Sequence, residues 1–167
     1  MILENLEKVR GNGTLMLALI DPDKKNDNKI DLMIENINKS NFDAILVGGS
    51  SIEDNKFKDR LKFIKSNTNL PIIIFPGESK QISNDADAIL FTSLISGRNP
   101  KYLIEEQVES AMNIYNTNLE VIPTGYILFK TDKISSVEKI SNTKPICMTD
   151  IDLIISHILA AEYMGNK

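Results

Sequence analysis

The chain has 167 residues, of which 42% are hydrophobic and 25% charged, and this composition is that of one globular domain. Its 19 basic and 23 acidic residues give a net charge of −4, and 6% of the residues are aromatic, with no tryptophan. No basic stripe is visible, so we expect no nucleic acid partner. An anionic small substrate would need a metal ion or helix N-termini to bind to such an acidic protein.

The cellular setting is indicated by the cysteine content and the N-terminus. The single cysteine, Cys147, excludes an internal disulfide and a multi-thiolate metal site, and it fits a reducing cytoplasm. The first residues lack the basic start and the cleavage pattern of a signal peptide, and their apolar stretch is too short to span a bilayer. We therefore expect a cytoplasmic protein without a transmembrane segment.

Short apolar runs alternate along the chain with segments whose apolar residues recur at helical spacing. The runs predict five strands, within residues 14–21, 44–49, 71–77, 88–95 and 119–129. The helical stripes comprise Ile30, Met33, Ile34 and Ile37; Phe57, Leu61 and Ile64; Ile104, Val108, Ala111 and Tyr115, after an N-cap at Asn99 and a first helical residue at Pro100; and Ile151, Ile154, Ile155 and Ile158. This alternation predicts a single α/β domain over residues 1–167, with parallel strands joined by crossovers.

Two architectures fit this alternation, an open doubly wound sheet and part of a (β/α)8 TIM barrel, which typically has about 250 residues. Between Gly77 and Ala88 the chain has only about ten residues, whereas a crossover usually needs a dozen or more. We predict that the third helix is vestigial and that part of the sheet's flank is uncovered there.

Polar and glycine residues gather at the carboxyl ends of four of the predicted strands, at Asp21-Pro22-Asp23, Gly48-Gly49-Ser50-Ser51, Pro76-Gly77 and Gly125-Tyr126. Both architectures bind ligands at the carboxyl ends of their strands. The pattern therefore locates the binding site without choosing between the two folds.

The carboxylates of Asp21-Pro22-Asp23 could hold Mg²⁺, which takes one or two carboxylates together with substrate phosphate oxygens. Asp-Pro-Asp is also favoured turn chemistry, so a purely structural turn is the alternative.

Glycines in Gly48-Gly49-Ser50-Ser51 would let a phosphate approach the backbone, next to the free N–H groups of a following helix. The same segment continues as Ser50-Ser51-Ile52-Glu53, a capping box, and Ser50 could cap the helix and face a ligand at once.

Two further residues have open roles. Tyr126 either binds substrate or packs its ring. His157, the one histidine, lies off the isoleucine stripe and is expected to be a solvated or boundary residue rather than a catalyst. One histidine and one cysteine give little support to Ser-His-Asp, Cys-His or multi-histidine metal sites.

Taken in order, six segments resemble the geranylgeranylglyceryl phosphate synthase family over essentially the whole chain: LALIDPDK, DAILVGGSS, PIIIFPGESKQIS, ADAILFTSLISGRNPKYLI, EVIPTGYILF and NTKPI. The resemblance is to the branch shared by archaea and some bacteria, and it implies a modified (β/α)8 barrel. It also implies a transferase that joins sn-glycerol 1-phosphate to geranylgeranyl or a similar polyprenyl diphosphate, with Mg²⁺, to make an ether-lipid precursor. Family members are dimers or larger, which implies a homo-oligomer, and the lipid product implies a peripheral membrane contact.

Carried over residue by residue, the resemblance makes Asp21 a magnesium ligand, Ser50 the second residue of the magnesium site and Tyr126 a residue of the substrate cavity. It also implies that the gap at the third helix opens a groove for the prenyl tail.

The sequence departs from the family in two places. Phe129-Lys130-Thr131-Asp132-Lys133 replaces the family's Gly-Gly turn after the fifth strand. The chain also ends before the family's Tyr-Leu-Glu-Ala-Gly-Ser-Gly strand and two glycine-rich phosphate turns. We therefore expect the first five β/α units of a barrel, with the assisting glutamate outside the chain and no activity from these residues alone. The alternatives are an inactive fragment or interaction module, and another phosphate-handling TIM-barrel enzyme.

Overall fold

The computed structural model describes residues 1–49, 52 and 54–166. The helices are α1 (Ile2–Asn12), α2 (Ile30–Asn38), α3 (Phe57–Ser66), α4 (Glu106–Tyr115), α5 (Ser136–Ser141) and α6 (Ile151–Tyr163), and the strands are β1 (Leu17–Ile20), β2 (Ala44–Val47), β3 (Ile72–Ile74), β4 (Ala88–Ser93) and β5 (Glu120–Gly125). A 3-10 turn spans Lys24–Asn26, and a π-helical turn at Lys101–Glu105 leads into α4. All five predicted strands are present, whereas α1 and α5 were not predicted. No helix among the described residues has the length and apolar character needed to cross a membrane.

The five strands form one sheet in the order β1-β2-β3-β4-β5, which is also their order in the chain. The first three pairs are parallel. The Glu120 N–H donates to the Asp87 carbonyl at 3.1 Å and the Tyr126 N–H to the Ser93 carbonyl at 2.8 Å, so β4 and β5 also run in the same direction. A doubly wound sheet reverses its strand order at a switch point, whereas a β/α barrel adds each strand next to the last. The observed order is that of the barrel.

The chain divides into two compact units, one of residues 1–90 and 113–122 and the other of residues 91–112 and 123–167. In the first unit, the apolar runs predicted as strands form the core, and Ile20, Ile45, Ile72, Ile73 and Ile74 are almost completely buried. From α3, Phe57, Leu61 and Ile64 complete this core, as their helical spacing predicts. Of the four predicted positions of α2, Ile30, Ile34 and Ile37 are buried and Met33 is half-buried.

Helix α1 packs on the amino ends of the strands in the first unit. Its Ile2, Leu3 and Leu6 lie against a buried cluster that includes Ala44 and Ala88, the first residues of β2 and β4. The main-chain N–H groups of Ile2 and Leu3, in the first turn of the helix, donate to the Glu120 carboxylate. A carboxylate at a helix N-terminus satisfies these groups and complements the helix dipole.

The segment between β3 and β4, residues 75–87, contains no helix, which confirms the prediction of a vestigial third crossover. The three residues of β3 are nevertheless buried, while Leu90 to Ser93 of β4 are half-buried. The strand faces left partly open are therefore those of β4, rather than of β3.

The predicted apolar faces of α4 and α6 do not face a core. Asn99 does cap the helix, because its Oδ1 accepts the Lys101 N–H at 3.1 Å and Pro100 is the first helical residue. However, Val108 is 68% exposed, while Gln107 and Ser110 are buried. Gln107 turns inward because its Nε2 donates to the carbonyls of Thr92 and Tyr102.

In α6, Ala161 is buried, whereas the predicted stripe leaves Ile151, Ile155 and Ile158 about half exposed.

Candidate functional site

The first three strands end side by side in the first unit. Their parallel register places Ile20 opposite Val47 and Val47 opposite Ile74. The next residues along the chain, Asp21, Gly48 and Phe75, are therefore neighbours at the carboxyl edge of the sheet. The structure thus brings together the segments that the sequence singled out at the ends of β1, β2 and β3.

The two carboxylates of Asp21-Pro22-Asp23 have different environments. Asp23 is buried, and its Oδ1 accepts the Lys25 N–H at 3.0 Å, so it caps the 3-10 turn. Asp21 lies before the turn, and its main-chain carbonyl accepts a hydrogen bond from Asn26 Nδ2 at 2.9 Å. The turn interpretation therefore holds for Asp23, while the Asp21 side chain is left for another role.

The two carboxylate oxygens of Asp21 also differ. Oδ2 lies 3.0 Å from Lys25 Nζ, whereas Oδ1 is buried and has no hydrogen-bond partner. A buried carboxylate oxygen without a hydrogen bond costs free energy of folding unless a bound ligand contacts that oxygen. Asp21 Oδ1 is therefore suited to a cation, and Mg²⁺ accepts one carboxylate when phosphate oxygens and water supply its other ligands. Among the described residues no group of three histidine, cysteine or acidic side chains could hold a metal without such outside ligands.

The glycines after β2 are required by close approach of neighbouring groups. A β-carbon on Gly48 would lie 1.7 Å from the Phe75 carbonyl oxygen, and one on Gly49 would lie 2.4 Å from Asp21 Oδ1. Glycine is the residue that fits where backbone or another group comes this close. Gly49 is therefore packed directly against the unsatisfied oxygen of Asp21.

The capping box predicted after Gly49 includes Ser50, Ser51 and Glu53, which lie outside the described residues, and the helix that it was expected to begin starts later in the chain. Helix α3 begins at Phe57, and Ile52 and residues 54–56 are not helical, so the free N–H groups of a helix do not follow the glycines directly. The reason is that Asp54 turns the chain, since its Oδ1 accepts the Lys56 N–H at 3.1 Å while both its oxygens bind Arg60. Ser50 and Ser51, predicted to bind metal and substrate, lie outside the described residues.

Sequence inspection missed Gln81, which joins the glycine turns after β2 and β3. Gln81 is 3% exposed, and its Nε2 donates to the Gly49 carbonyl at 2.8 Å. Its Oε1 accepts the N–H groups of Gly77 at 3.2 Å and of Gly49 at 3.4 Å. Pro76-Gly77 is therefore linked to Gly49 by one side chain. A glutamine in a polar loop carries no periodicity, so no pattern marked it.

Arg60 was also missed, and it stabilises the segments beside Asp21. It is 6% exposed and forms hydrogen bonds with the carboxylates of Asp27 and Asp54 and with the Pro22 carbonyl. The Arg60 guanidinium lowers the pKa of Asp54 to about 2 and also lowers that of Asp27, while the two carboxylates raise the pKa of Arg60. One buried cation thus holds together the parts of the chain around Pro22, Asp27 and Asp54. On a surface helix an arginine usually indicates solvent, which is why its spacing gave no signal.

Gly125 and Tyr126 follow β5 and belong to the second unit. A β-carbon on Gly125 would lie 3.1 Å from the Ala161 β-carbon, so this glycine allows close packing of α6. Tyr126 is half-buried, and burial raises the pKa of its hydroxyl. His157 is half-buried and its Nδ1–H donates to the Leu153 carbonyl at 2.8 Å, which agrees with the predicted boundary role.

Strand order and site together define a TIM-barrel-type α/β protein with one unsatisfied carboxylate at the end of β1 and close-packed glycines at the end of β2. Residues 7–167 match the profile of the PcrB family, and the chain belongs to this family.

The relatives are longer than this chain. It is 44% identical over 167 residues to the geranylgeranylglyceryl phosphate synthase of Flavobacterium johnsoniae, a match that covers 99% of this chain and 69% of the relative. It is 35% identical to the synthase of the same name from Methanosphaera stadtmanae, covering 100% of this chain and 68% of that relative. The chain thus spans about two thirds of the length of these relatives.

Solved structures show the same fold. The wild-type synthase of Thermoplasma volcanium matches with a TM-score of 0.92 at 32% identity, covering 100% of this chain and 67% of that one. The enzyme of Thermoplasma acidophilum, solved in complex with its substrate sn-glycerol-1-phosphate, matches with a TM-score of 0.91 at 33% identity, covering 99% of this chain and 67% of that one. The predicted TIM-barrel-type fold and the resemblance to this synthase family are both confirmed.

Proposed function

We propose that this chain belongs to a prenyltransferase that joins sn-glycerol 1-phosphate to geranylgeranyl diphosphate or a similar polyprenyl diphosphate. In this reaction the allylic carbon–oxygen bond breaks, the glycerol oxygen bonds to that carbon, and diphosphate and a proton are released. The product is an ether-lipid precursor. The proposal is supported by the names of the relatives and by the sn-glycerol-1-phosphate complex of the Thermoplasma acidophilum enzyme.

The observation that carries the proposal is the unsatisfied Oδ1 of Asp21 beside Gly49. Asp21, together with Ser50, would hold Mg²⁺. When bound, this ion would neutralise the charge that develops on the departing diphosphate. A single carboxylate suits this task, because the diphosphate oxygens supply the ligands that the protein does not.

The remaining predicted residues would bind substrate. Gly48 and Gly49 would lie beside the diphosphate, since their close packing against Phe75 and Asp21 places both glycines next to the proposed cation ligand. The N–H groups of Gly49 and Gly77 are already bonded to Gln81, so these turns shape the site and leave anion binding mainly to the cation. Ser51, Pro76 and Tyr126 complete the proposed substrate-binding set. Deprotonation of the glycerol hydroxyl is assigned to no residue of this chain.

A homo-oligomer is the second part of the proposal. Ile104, in the π-helical turn that leads into α4, and Val108 and Met112 of α4 lie on one helical face and are 57%, 68% and 66% exposed. An apolar stripe of this kind on a surface helix is typical of a face that another protein surface covers. We propose that this face of α4 contributes to contacts between copies of the protein.

The test is a prenyl-transfer assay with radiolabelled sn-glycerol 1-phosphate, geranylgeranyl diphosphate and Mg²⁺. It is run on this chain and on a fusion of this chain with the part of the Flavobacterium johnsoniae enzyme outside the match. The intact Flavobacterium johnsoniae enzyme is the positive control, and sn-glycerol 3-phosphate is the control substrate. We expect prenylated sn-glycerol 1-phosphate from the fusion, and Asp21→Asn should remove it. A folded fusion without product, beside an active control enzyme, would refute the proposal.

A further inference from the structure

Gln81 contacts Gly49 in the way that a neighbouring strand would. Its side-chain amide donates to the Gly49 carbonyl at 2.8 Å and accepts the Gly49 N–H at 3.4 Å. The same oxygen accepts the Gly77 N–H at 3.2 Å. Both peptide groups of Gly49 are therefore held by one side chain that lies 32 residues further along the chain.

The chemistry of this contact requires a side-chain amide. Bonding both groups of Gly49 needs a donor and an acceptor a fixed distance apart, which a carboxylate or an alkyl group does not offer. Glycine has the widest backbone freedom of any residue, so the position of Gly49 depends on such partners more than that of another residue would.

The position of Gly49 in turn determines the space beside Asp21. A β-carbon on Gly49 would lie 2.4 Å from Asp21 Oδ1, so a shift of this backbone toward the carboxylate would crowd that oxygen and displace it. Asp21 Oδ1 has no hydrogen-bond partner of its own to restore its position. A relay of three residues, Gln81, Gly49 and Asp21, thus links a buried amide to the proposed cation ligand.

We propose that Gln81 is a positioning residue for Asp21: by holding the N–H and the carbonyl of Gly49, it keeps this backbone from displacing Asp21 Oδ1, which would bind a divalent cation together with diphosphate. This inference rests on the proposed function, because it takes Asp21 as the cation ligand. Residues that orient a metal ligand without touching the metal typically change its affinity by about 10- to 100-fold when they are replaced.

The experiment measures Mg²⁺ binding to the 167-residue chain by calorimetry in the presence of inorganic diphosphate. Gln81→Met removes the three hydrogen bonds while keeping the length of the side chain, and it should weaken Mg²⁺ binding by about 10- to 100-fold. Gln107→Met is the matched control, since Gln107 is also buried and bonds two main-chain carbonyls, but in the second unit. It should lower the melting temperature without changing Mg²⁺ affinity.

A double-mutant cycle distinguishes positioning from general destabilisation. Asp21→Asn should weaken Mg²⁺ binding, and adding Gln81→Met to Asp21→Asn should weaken it no further, because the effect of Gln81 passes through Asp21. Amide hydrogen exchange of Gly49, followed by NMR, should be faster in Gln81→Met and unchanged in Gln107→Met.

If Gln81→Met fails to fold, Gly49→Ala tests the same relay, because its methyl group would displace Asp21 Oδ1, and it should also weaken Mg²⁺ binding. Wild-type affinity in Gln81→Met or in Gly49→Ala, with binding weakened by Asp21→Asn, would overturn the role of Gln81 and leave the proposed function intact. Equal Mg²⁺ binding by the wild type and Asp21→Asn would instead refute the proposed cation site, and this inference with it.

Discussion

Lys25 Nζ lies 3.0 Å from Oδ2 of Asp21, while Oδ1 of the same carboxylate is buried without a hydrogen-bond partner. The lysine is 68% exposed, so this ion pair is a surface interaction and is worth little free energy of folding. One oxygen of this carboxylate is thus paired with an exposed lysine, and the other has no partner. This asymmetry separates Asp21 from Asp23, whose side chain is used in capping a turn, and it is the basis of the first prediction.

Asp21→Asn should reduce prenyl transfer by at least about 10²- to 10³-fold, the usual effect of removing one group that stabilises transition-state charge. The free energy of unfolding should change by less than about 1 kcal/mol, because the Lys25 pair is solvent-exposed. Turnover of the fusion protein and urea unfolding of the 167-residue chain measure the two quantities. Asp23→Asn is the control, since asparagine also caps turns and should retain turnover. Near wild-type turnover in Asp21→Asn would remove Asp21 from the mechanism.

Gly48→Ala should destabilise the fold by roughly 1–3 kcal/mol or more, the range for a group forced into a packed core. Its methyl group would lie 1.7 Å from the Phe75 carbonyl oxygen, which is main chain and cannot rotate away. The control is Gly11→Ala in α1, where a β-carbon would meet nothing within 4 Å. Alanine favours a helix over glycine, so this control should be as stable as the wild type or more so. Urea unfolding compares the two variants, and equal stability would show that β2 and β3 do not approach as described.

Acid should remove the stabilisation that the Asp54–Arg60 ion pair gives to the folded protein, over a defined pH window. The pKa of Asp54 is lowered from 3.8 to about 2 by Arg60, so the folded protein binds this proton less readily than the unfolded chain does. A group with a lowered folded-state pKa stabilises the fold above its unfolded pKa, and this stabilisation is lost as the pH falls through the folded value. We expect Asp54→Asn to be less stable than the wild type at pH 6, with the difference fading between about pH 4 and pH 2.

Urea unfolding at several pH values measures this difference, with Asp132→Asn, at an exposed position, as the control. For this control, the difference in stability from the wild type should not become smaller in the same way as the pH falls. A difference between Asp54→Asn and the wild type that stays constant down to pH 2 would contradict the ion pair.

Val108→Asp should shift the protein toward the monomer. The side chain is 68% exposed on the apolar face of α4, and an aspartate there would be desolvated in any contact that covers this face. Light scattering coupled to size exclusion gives the molar mass at a series of concentrations. Asn113→Asp, which adds the same charge on the same helix off the apolar stripe, should leave the mass unchanged. If Val108→Asp keeps the wild-type mass, this face is not the contact between copies.

Much of the fold follows from the sequence alone. Five apolar runs predict five strands, because a short apolar run between polar turns is typical of a strand that is covered on both faces. The absence of a helix between β3 and β4 follows from chain length, since residues 78–87 are too few for a helix and two turns. Asp21 and the glycines at 48 and 49 stand out because they follow strands directly, and parallel strands present their carboxyl ends to one edge.

Other features were decided only by contacts between distant residues. Strand order distinguishes the barrel from a doubly wound sheet, and it depends on pairing that the alternation of elements leaves open. The apolar stripe of α4 marks a face to be covered, but periodicity does not say whether the core or another surface covers it. Gln81 meets Gly49 across 32 residues and Arg60 meets Asp27 across 33. Such contacts leave no local pattern, because the partners of a buried polar side chain are chosen by the fold and not by its sequence neighbours.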